Sequence, residues 1–260
     1  MITLNQLENY LQKLMFFNSK LDVEKIDPFM TNGLMVKGSD QIKNIGFTVS
    51  ASVEIFKKAA EKKCQTIVVH HSFNLPKNHN YDYIFQERMA FLIKNNISLF
   101  GYHFLLDTHP EIGNNVSILK VIGANVEKPY LHHGSPWGYT GGFKESRSLS
   151  EIKKILNKYL SPRSIYYDFG PPKVRRVVAV SGKGAPVASD MTALINDKID
   201  LYITGEVHEW NRELFREAKI NFIAGGHYHT EMFGIKALMK KVKKDHPQVS
   251  TIWLELENQV

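Results

Sequence analysis

Residues 66–73 read TIVVHHSF, four residues of buried-strand character that run straight into two adjacent histidines. A short β-branched run bounded by polar residues is the pattern of an interior strand in a parallel sheet, covered on both faces. Working outward from it, similar runs alternate with segments of helical period. A strand at 45–50 and a helix at 53–63 precede it; a helix at 83–95 and a strand at 98–103 follow. A second series reads strand 177–181, helix 187–195, strand 201–204, helix 209–218, strand 222–224, helix 231–243 and strand 251–256. This alternation predicts βαβ units and an α/β fold, with two similar halves, each a mostly parallel mixed sheet flanked by helices, facing across a cleft. The first half is expected over 1–126. The rest, 127–260, is expected to hold a bridging segment and the second half. Residues 127–172 are rich in Gly, Pro and aromatic residues (HHGSPWGYTGGF, SPRS, FGPP), with one expected helix at 149–159.

Composition narrows the function classes. Hydrophobic residues make up 43% and charged residues 23% of the 260, so the whole chain is expected to fold. No apolar run reaches the roughly 18 residues of a membrane span, and the first residues, MITLNQLENYLQKLMFF, read as an amphipathic helix; a cytoplasmic protein is expected. The lone Cys64 excludes an internal disulfide and any zinc site built on two or more thiolates. A metal here must use His and carboxylate. The net charge of +7 favours anionic small molecules or nucleic acid as partners. The lysine cluster Lys236, Lys240, Lys241, Lys243 and Lys244 is more simply a solvated helix face than a nucleic-acid site.

Three strand ends carry the chemistry. His70 and His71 close the first, at the carboxyl end of a strand where functional groups collect in open α/β sheets. Neighbouring side chains on a strand point to opposite faces, so the two serve one site only if the strand ends there. Taken alone, such a pair is more often a surface pair. The second end, SLFGYHFLLDTHPEIGNN, places His103 and Asp107 just past a strand; Asp107 is readable as a carboxylate bridging two cations or, with Thr108, as a turn cap. The third, NFIAGGHYHTEMFGIKAL, places His227 and Glu231 four residues apart, on one side of a helical turn if the helix starts early enough. Glu231 also complements a helix dipole, with Thr230 as cap. Together these residues form a nitrogen-and-oxygen set suited to Zn, Mn, Fe or Co.

Other candidates are weaker. SGKGAP after Val180 has the look of a phosphate loop but lacks the full G-x-x-x-x-G-K-[ST] pattern. YITGEVHEW contains Glu206, His208 and Glu209 without an H-E-x-x-H, which excludes a metalloprotease helix; Glu206 reads as a supporting or structural residue. His132 and His133 read as surface residues.

The ordered motifs NGLMV (32–36), VVHHSF, GYHFLLDTHPEIGNN, YITGEV and AGGHYHTEMFGIKAL make the chain resemble the GTP cyclohydrolase I type 2 homologue family, the NGG-interacting-factor-three-like dinuclear metal proteins. The resemblance covers nearly the whole chain. It implies two divalent metal ions per chain, held by His70, His71, Asp107, His227 and Glu231, with His103 beside them as a supporting or proton-transfer group. It also implies a toroidal homohexamer with its metal sites facing an internal cavity, and the short form of the chain without an inserted domain. Two residues depart from the pattern: His229, a second histidine inside the late motif, and Lys183, in a loop that is usually small and glycine-rich. The expected function is metal-dependent hydrolysis of an anionic nucleotide-like substrate through an activated water. The alternative is a non-catalytic, metal-stabilised scaffold or regulator that binds protein or nucleic acid.

Overall fold

The computed structural model describes residues 1–74, 80–256 and 258–259. Its elements begin with β1 (Ile2–Thr3), α1 (Leu4–Met15), α2 (Val23–Ile26), β2 (Asn32–Val36), β3 (Gln41–Ile42), β4 (Asn44–Ser50), α3 (Val53–Glu61) and β5 (Thr66–His71). Next come α4 (Tyr83–Lys94), β6 (Ser98–Tyr102), α5 (Phe104–Thr108), α6 (Asn114–Val121), β7 (Asn125–His132), β8 (Ser135–Ser148), α7 (Leu149–Leu156) and β9 (Ile165–Tyr167). The chain finishes with β10 (Lys173–Val180), α8 (Ala188–Asn196), β11 (Leu201–Thr204), α9 (Asn211–Ala218), β12 (Asn221–Ala224), α10 (His227–Asp245) and β13 (Ser250–Trp253). The stretch 72–77 after the histidine pair, which reads in sequence as a loop, lies partly outside the described residues. No helix among the described residues is long and apolar enough to cross a membrane.

The expected α/β class holds, and the chain divides into two compact units: Met1–Leu106 with Ile235–Glu257, and Asp107–Gly234 with Asn258–Val260. This differs from a single cut after residue 126. The physical reason is that α10 and β13, late in sequence, return to the first sheet, where β13 pairs in parallel with β4.

The first unit holds a five-stranded sheet in the order β13-β4-β5-β6-β2, parallel except for the edge strand β2. Helix α3 starts at Ser52, whose hydroxyl accepts from the Ile55 N–H at 3.2 Å, and buries Ile55, Phe56 and Ala59. These pack with Ile67, Val69 and Leu99 from alternate positions of β5 and β6. Helix α1 is opened by a reciprocal capping box between Thr3 and Gln6 and buries Leu4, Leu7, Leu11 and Met15 at helical spacing.

The second unit holds a six-stranded sheet, β7-β8-β10-β11-β12-β9, in which only β10-β11 and β11-β12 are parallel pairs. It is therefore mixed, not mostly parallel. Val177, Ala179, Leu201, Ile203 and Ile223 face one core; Val178, Val180, Tyr202, Phe222 and Ala224 face another. That period of two, apolar on both sides, explains why these strands read as continuous hydrophobic runs.

The bridging segment expected at 127–172 is largely sheet. β7 and β8 form an antiparallel hairpin that pairs on to β10. Gly138 within it is a packing residue. A Cβ on Gly138 would fall 2.6 Å from Val180 Cγ2 and 2.7 Å from the Ala179 carbonyl, so the close approach of β8 to β10 needs glycine there. His133, at φ 51°, turns the hairpin and is exposed, as expected. His132 is buried, with only 5% of its surface exposed, because it is the last residue of β7 and tucks against Asp190 at 3.5 Å.

Burial lowers the His132 pKa to about 4, helped by the neighbouring His133 and opposed by Asp190. The folded chain thus refuses a proton that the unfolded chain accepts near pH 6.5, and stability falls as pH drops from about 6.5 towards 4. In chemical denaturation across that range, wild type should lose on the order of 2 kcal/mol more than His132→Gln. Equal slopes would mean that His132 does not titrate on unfolding.

Candidate metal centre

In the first unit, β5 ends at His71 and β6 ends at Tyr102, one residue before His103. The two strands are parallel and in register, Val69 opposite Gly101, so their carboxyl ends lie side by side. His70 is fully buried and its Nδ1 lies 2.8 Å from the Tyr102 carbonyl oxygen. A carbonyl only accepts, so Nδ1 carries the proton and the neutral ring presents Nε2 as its lone-pair nitrogen. His103 Nδ1 lies 2.8 Å from Asp27 Oδ2, which fixes its ring in the same sense. Burial would push the Asp27 carboxyl up, but the hydrogen bonds from His103, the Phe104 N–H and Asn32 hold it below the usual carboxylate value. His71 Nδ1 is 3.1 Å from the hydroxyl of Ser50, its register partner on β4.

Because β5 stops at these residues, the two adjacent histidines converge. Ring centroids are 4.7 Å apart for His70 and His71, 5.0 Å for His70 and His103, and 5.4 Å for His71 and His103. One ligating atom from each of the three lies within 4.8 Å of the others. Such a set can hold a cation.

In the second unit, the Asp107 carboxylate is 5% exposed and its Oδ1 accepts from the Ser181 hydroxyl at 2.7 Å and from Asn114 Nδ2 at 2.9 Å. These two contacts tie Asp107 to α6 and to the residue that follows β10. Helix α10 starts at His227, four residues before the expected start, so His227 and Glu231 do share one turn, with Nε2 and Oε1 3.0 Å apart. Thr230 lies inside that turn, donating to the Gly226 carbonyl at 2.9 Å, and is not its cap. His227 Nδ1 is 2.5 Å from Glu206 Oε1, so the carboxylate accepts a hydrogen bond from Nδ1–H and Nε2 is the nitrogen that faces Glu231.

Ser181, Asp107's partner, is followed by Gly182 at φ +59°. A Cβ on Gly182 would sit 2.2 Å from Glu231 Oε1 and 3.1 Å from His227 Nε2. A side chain there would have to displace the ends of these two side chains, and the left-handed backbone itself favours glycine. Burial would lower the His227 pKa, but Glu231 and then Glu206 outweigh it and raise it to about 9. A proton and a cation compete for the same Nε2, flanked by carboxylates that favour either positive species.

Of the residues expected from sequence, His70, His71 and His103 thus converge in one unit, while His227 and Glu231 pair in the other, where Ser181, the neighbour of Gly182, holds Asp107. His229 belongs to none of the potential metal-holding groups among the described residues. Asp27, Asn114 and Ser181 were not singled out, and Glu206 was left without a partner. Their contacts span 7 to 76 residues of sequence, and no local pattern encodes them.

The profile of the DUF34/NIF3 (NGG1p interacting factor 3) family matches residues 5–259. The chain belongs to that family. It is 32% identical over 242 residues to a Pyrococcus abyssi protein named GTP cyclohydrolase 1 type 2 homolog, covering 92% of this chain and 95% of the relative. A Pseudomonas aeruginosa protein of the same name is 35% identical over 221 residues, 84% of this chain and 86% of the relative. Among solved structures, the protein ybgI, described as of unknown function, superposes with a TM-score of 0.84 at 26% identity over all of both chains. TTHA1606 from Thermus thermophilus gives 0.82 at 25% identity, again over all of both chains. The DUF34/NIF3 assignment rests on a match that spans nearly the whole chain.

Replacing Glu206 tests the support of His227. Glu206→Ala should weaken zinc binding about 10- to 100-fold in competition with a chelating dye, and Glu206→Gln, which keeps an acceptor oxygen, should recover most of it. Wild-type affinity in Glu206→Ala would show that the contact does not orient the ligand.

Proposed function

We propose that this DUF34/NIF3 protein is a metal-dependent hydrolase of an anionic, nucleotide-like substrate, with His70, His71, Asp107, His227 and Glu231 holding two divalent ions. The observation that carries this reading is the fixed direction of the imidazoles. His70, His103 and His227 each have Nδ1 engaged by a buried or half-buried oxygen acceptor, the arrangement that ligand histidines require and surface histidines do not. The donor set, imidazole and carboxylate without thiolate, fits Zn, Mn, Fe or Co. Divalent ions held by such donors supply Lewis acidity and activate water for hydrolysis.

The protein's own groups have definite parts in this reading. In this reading His103 moves a proton, which its hydrogen bond to Asp27 and its nearness to His70 and His71 support. Ser181 and Asn114 hold the Asp107 carboxylate in one orientation. The names of the curated relatives point to GTP or a similar purine nucleotide as substrate, and the net charge of +7 suits an anion. A homohexamer in the cytoplasm is part of the same reading. Its support is α4, which buries only Leu92 and leaves Tyr83 74%, Ile84 62% and Ile93 63% exposed, an apolar helix suited to cover by another copy.

The alternative of a nucleic-acid-binding scaffold has less behind it. Within the lysine cluster, Lys236 lies 4.7 Å over the Trp253 ring, Lys241 pairs with Asp245 at 2.7 Å and Lys243 donates to the Val249 carbonyl at 3.1 Å. These charges serve the fold itself.

Elemental analysis of the purified protein should find about two metal ions per chain, with a sharp loss in both Asp107→Asn and His227→Gln. Hydrolysis of GTP by the loaded wild type should fall at least about 100-fold in Asp107→Asn. Full activity in metal-stripped protein would overturn the reading.

A further inference from the structure

We propose that the loops following β10 and β11 form the recognition site for the substrate's flat heteroaromatic ring and its anionic tail, with Trp210 stacking on the ring and Lys183 pairing with the anion. The proposal rests on the hydrolase reading and deepens it by assigning recognition residues that the metal ligands do not include.

The two loops are knitted into one rigid element. Gly205 N–H and Glu206 N–H both donate to the Gly182 carbonyl, at 3.0 and 3.1 Å. Asn211, fully buried, accepts from the His208 N–H at 2.8 Å and donates to the Pro186 carbonyl at 2.7 Å, which ties the second loop to the end of the first. The Tyr202 hydroxyl holds the Gly184 carbonyl at 2.6 Å. Side chains carried here are positioned before any ligand arrives, so little ordering entropy is lost on binding.

What this element exposes is selective. Ser181, Gly182, Gly184, Ala185 and Pro186 are buried, and Lys183 alone among residues 181–186 is exposed. A Cβ on Gly184 would fall 2.4 Å from Val180 Cγ1, so the loop is pressed against its own strand and Lys183 is the residue it lifts out. In the other loop, Trp210 is 50% exposed and stacks on His208, with ring centroids 4.6 Å apart and planes 12° from parallel. An indole held flat by a neighbouring ring while half its surface meets water is a ready platform for another flat ring.

Both loops are rooted on the second unit's metal ligands. Gly182, beside Lys183, lies against Glu231 and His227. Glu206, four residues before Trp210, binds His227 Nδ1 at 2.5 Å. Four residues of chain span at most about 14 Å, so Trp210 lies within that reach of Glu206. A substrate with a flat ring at one end and an anion at the other therefore matches the chemistry that these two loops expose.

The test uses the full-length, metal-loaded protein and three probes in titration calorimetry: GTP, guanosine as the ring without the anion, and inorganic triphosphate as the anion without the ring. Trp210→Ala should weaken GTP and guanosine about tenfold and leave triphosphate unchanged, and Trp210→Phe should recover most of the loss. Lys183→Ala should weaken GTP and triphosphate and leave guanosine unchanged. Metal content should equal wild type in all three variants. Wild-type GTP affinity in both Ala variants, an equal loss across all three probes, or no binding of any probe by wild type would each overturn the proposal. Probe-selective binding without turnover would uphold recognition while removing the hydrolase reading, so the two fail separately.

Discussion

The hydrogen bond from His70 Nδ1 to the Tyr102 carbonyl is the constraint on which the first cluster depends. It ties the end of β5 to the last residue of β6, one residue past Val69 and Gly101, the last register pair between these two parallel strands. A buried neutral imidazole needs one acceptor for its N–H, and once that acceptor is fixed the position of the lone pair follows. The sheet thus does chemical work through its termination. Asp27 does the same for His103 from outside the sheet, and its buried carboxylate is kept ionised by three donors that are themselves parts of the fold. The second unit repeats the principle with different parts: Glu206 for His227, Ser181 and Asn114 for Asp107. Placing these acceptors and donors costs the fold several buried polar groups, which it offsets by burying β5, β6, β10 and β11 between apolar faces.

How much of this was legible in sequence follows from the range of the forces involved. The interior strands were readable because burial on both faces leaves a run of apolar residues with nothing to interrupt it, as in TIVV and VVAV. The strand ends were readable because polar residues resume there, which is why His70, His71 and His103 were found. The β7–β8 hairpin was not readable. Its strand residues are interrupted by Gly138, Gly141 and Gly142, and the signal that a glycine marks close backbone approach is identical, in sequence, to the signal that it marks a loop. His132 was misplaced for the same reason: beside Gly134 and Pro136 it reads as a loop residue, and its burial depends on Asp190, 58 positions later. The early start of α10 was missed because the two glycines before His227 read as a break, while the helix needs only that Gly226, at φ +91°, turn the chain into its first turn.

The partners of the ligands form a separate class of omission. Each is a common polar residue whose role exists only through a contact far away in sequence, so no periodicity or spacing points to it. What sequence does record is the room such contacts need. Gly182 is the clearest case, a glycine that looks like half of a phosphate loop and that lies, in a left-handed backbone conformation, against the side-chain ends of Glu231 and His227.

This arrangement separates two functions that are often entangled. His70, Asp107 and Glu231 are buried, and His70 and Asp107 are fixed by hydrogen bonds, so changing them disturbs a place where water cannot compensate. Lys183 is exposed and Trp210 half-exposed, and Lys183 can change without leaving a buried polar group unpaired. On the reading proposed above, a change at Lys183 would alter what the exposed loops bind while leaving the buried carboxylates and imidazoles, and the hydrogen bonds that orient them, undisturbed.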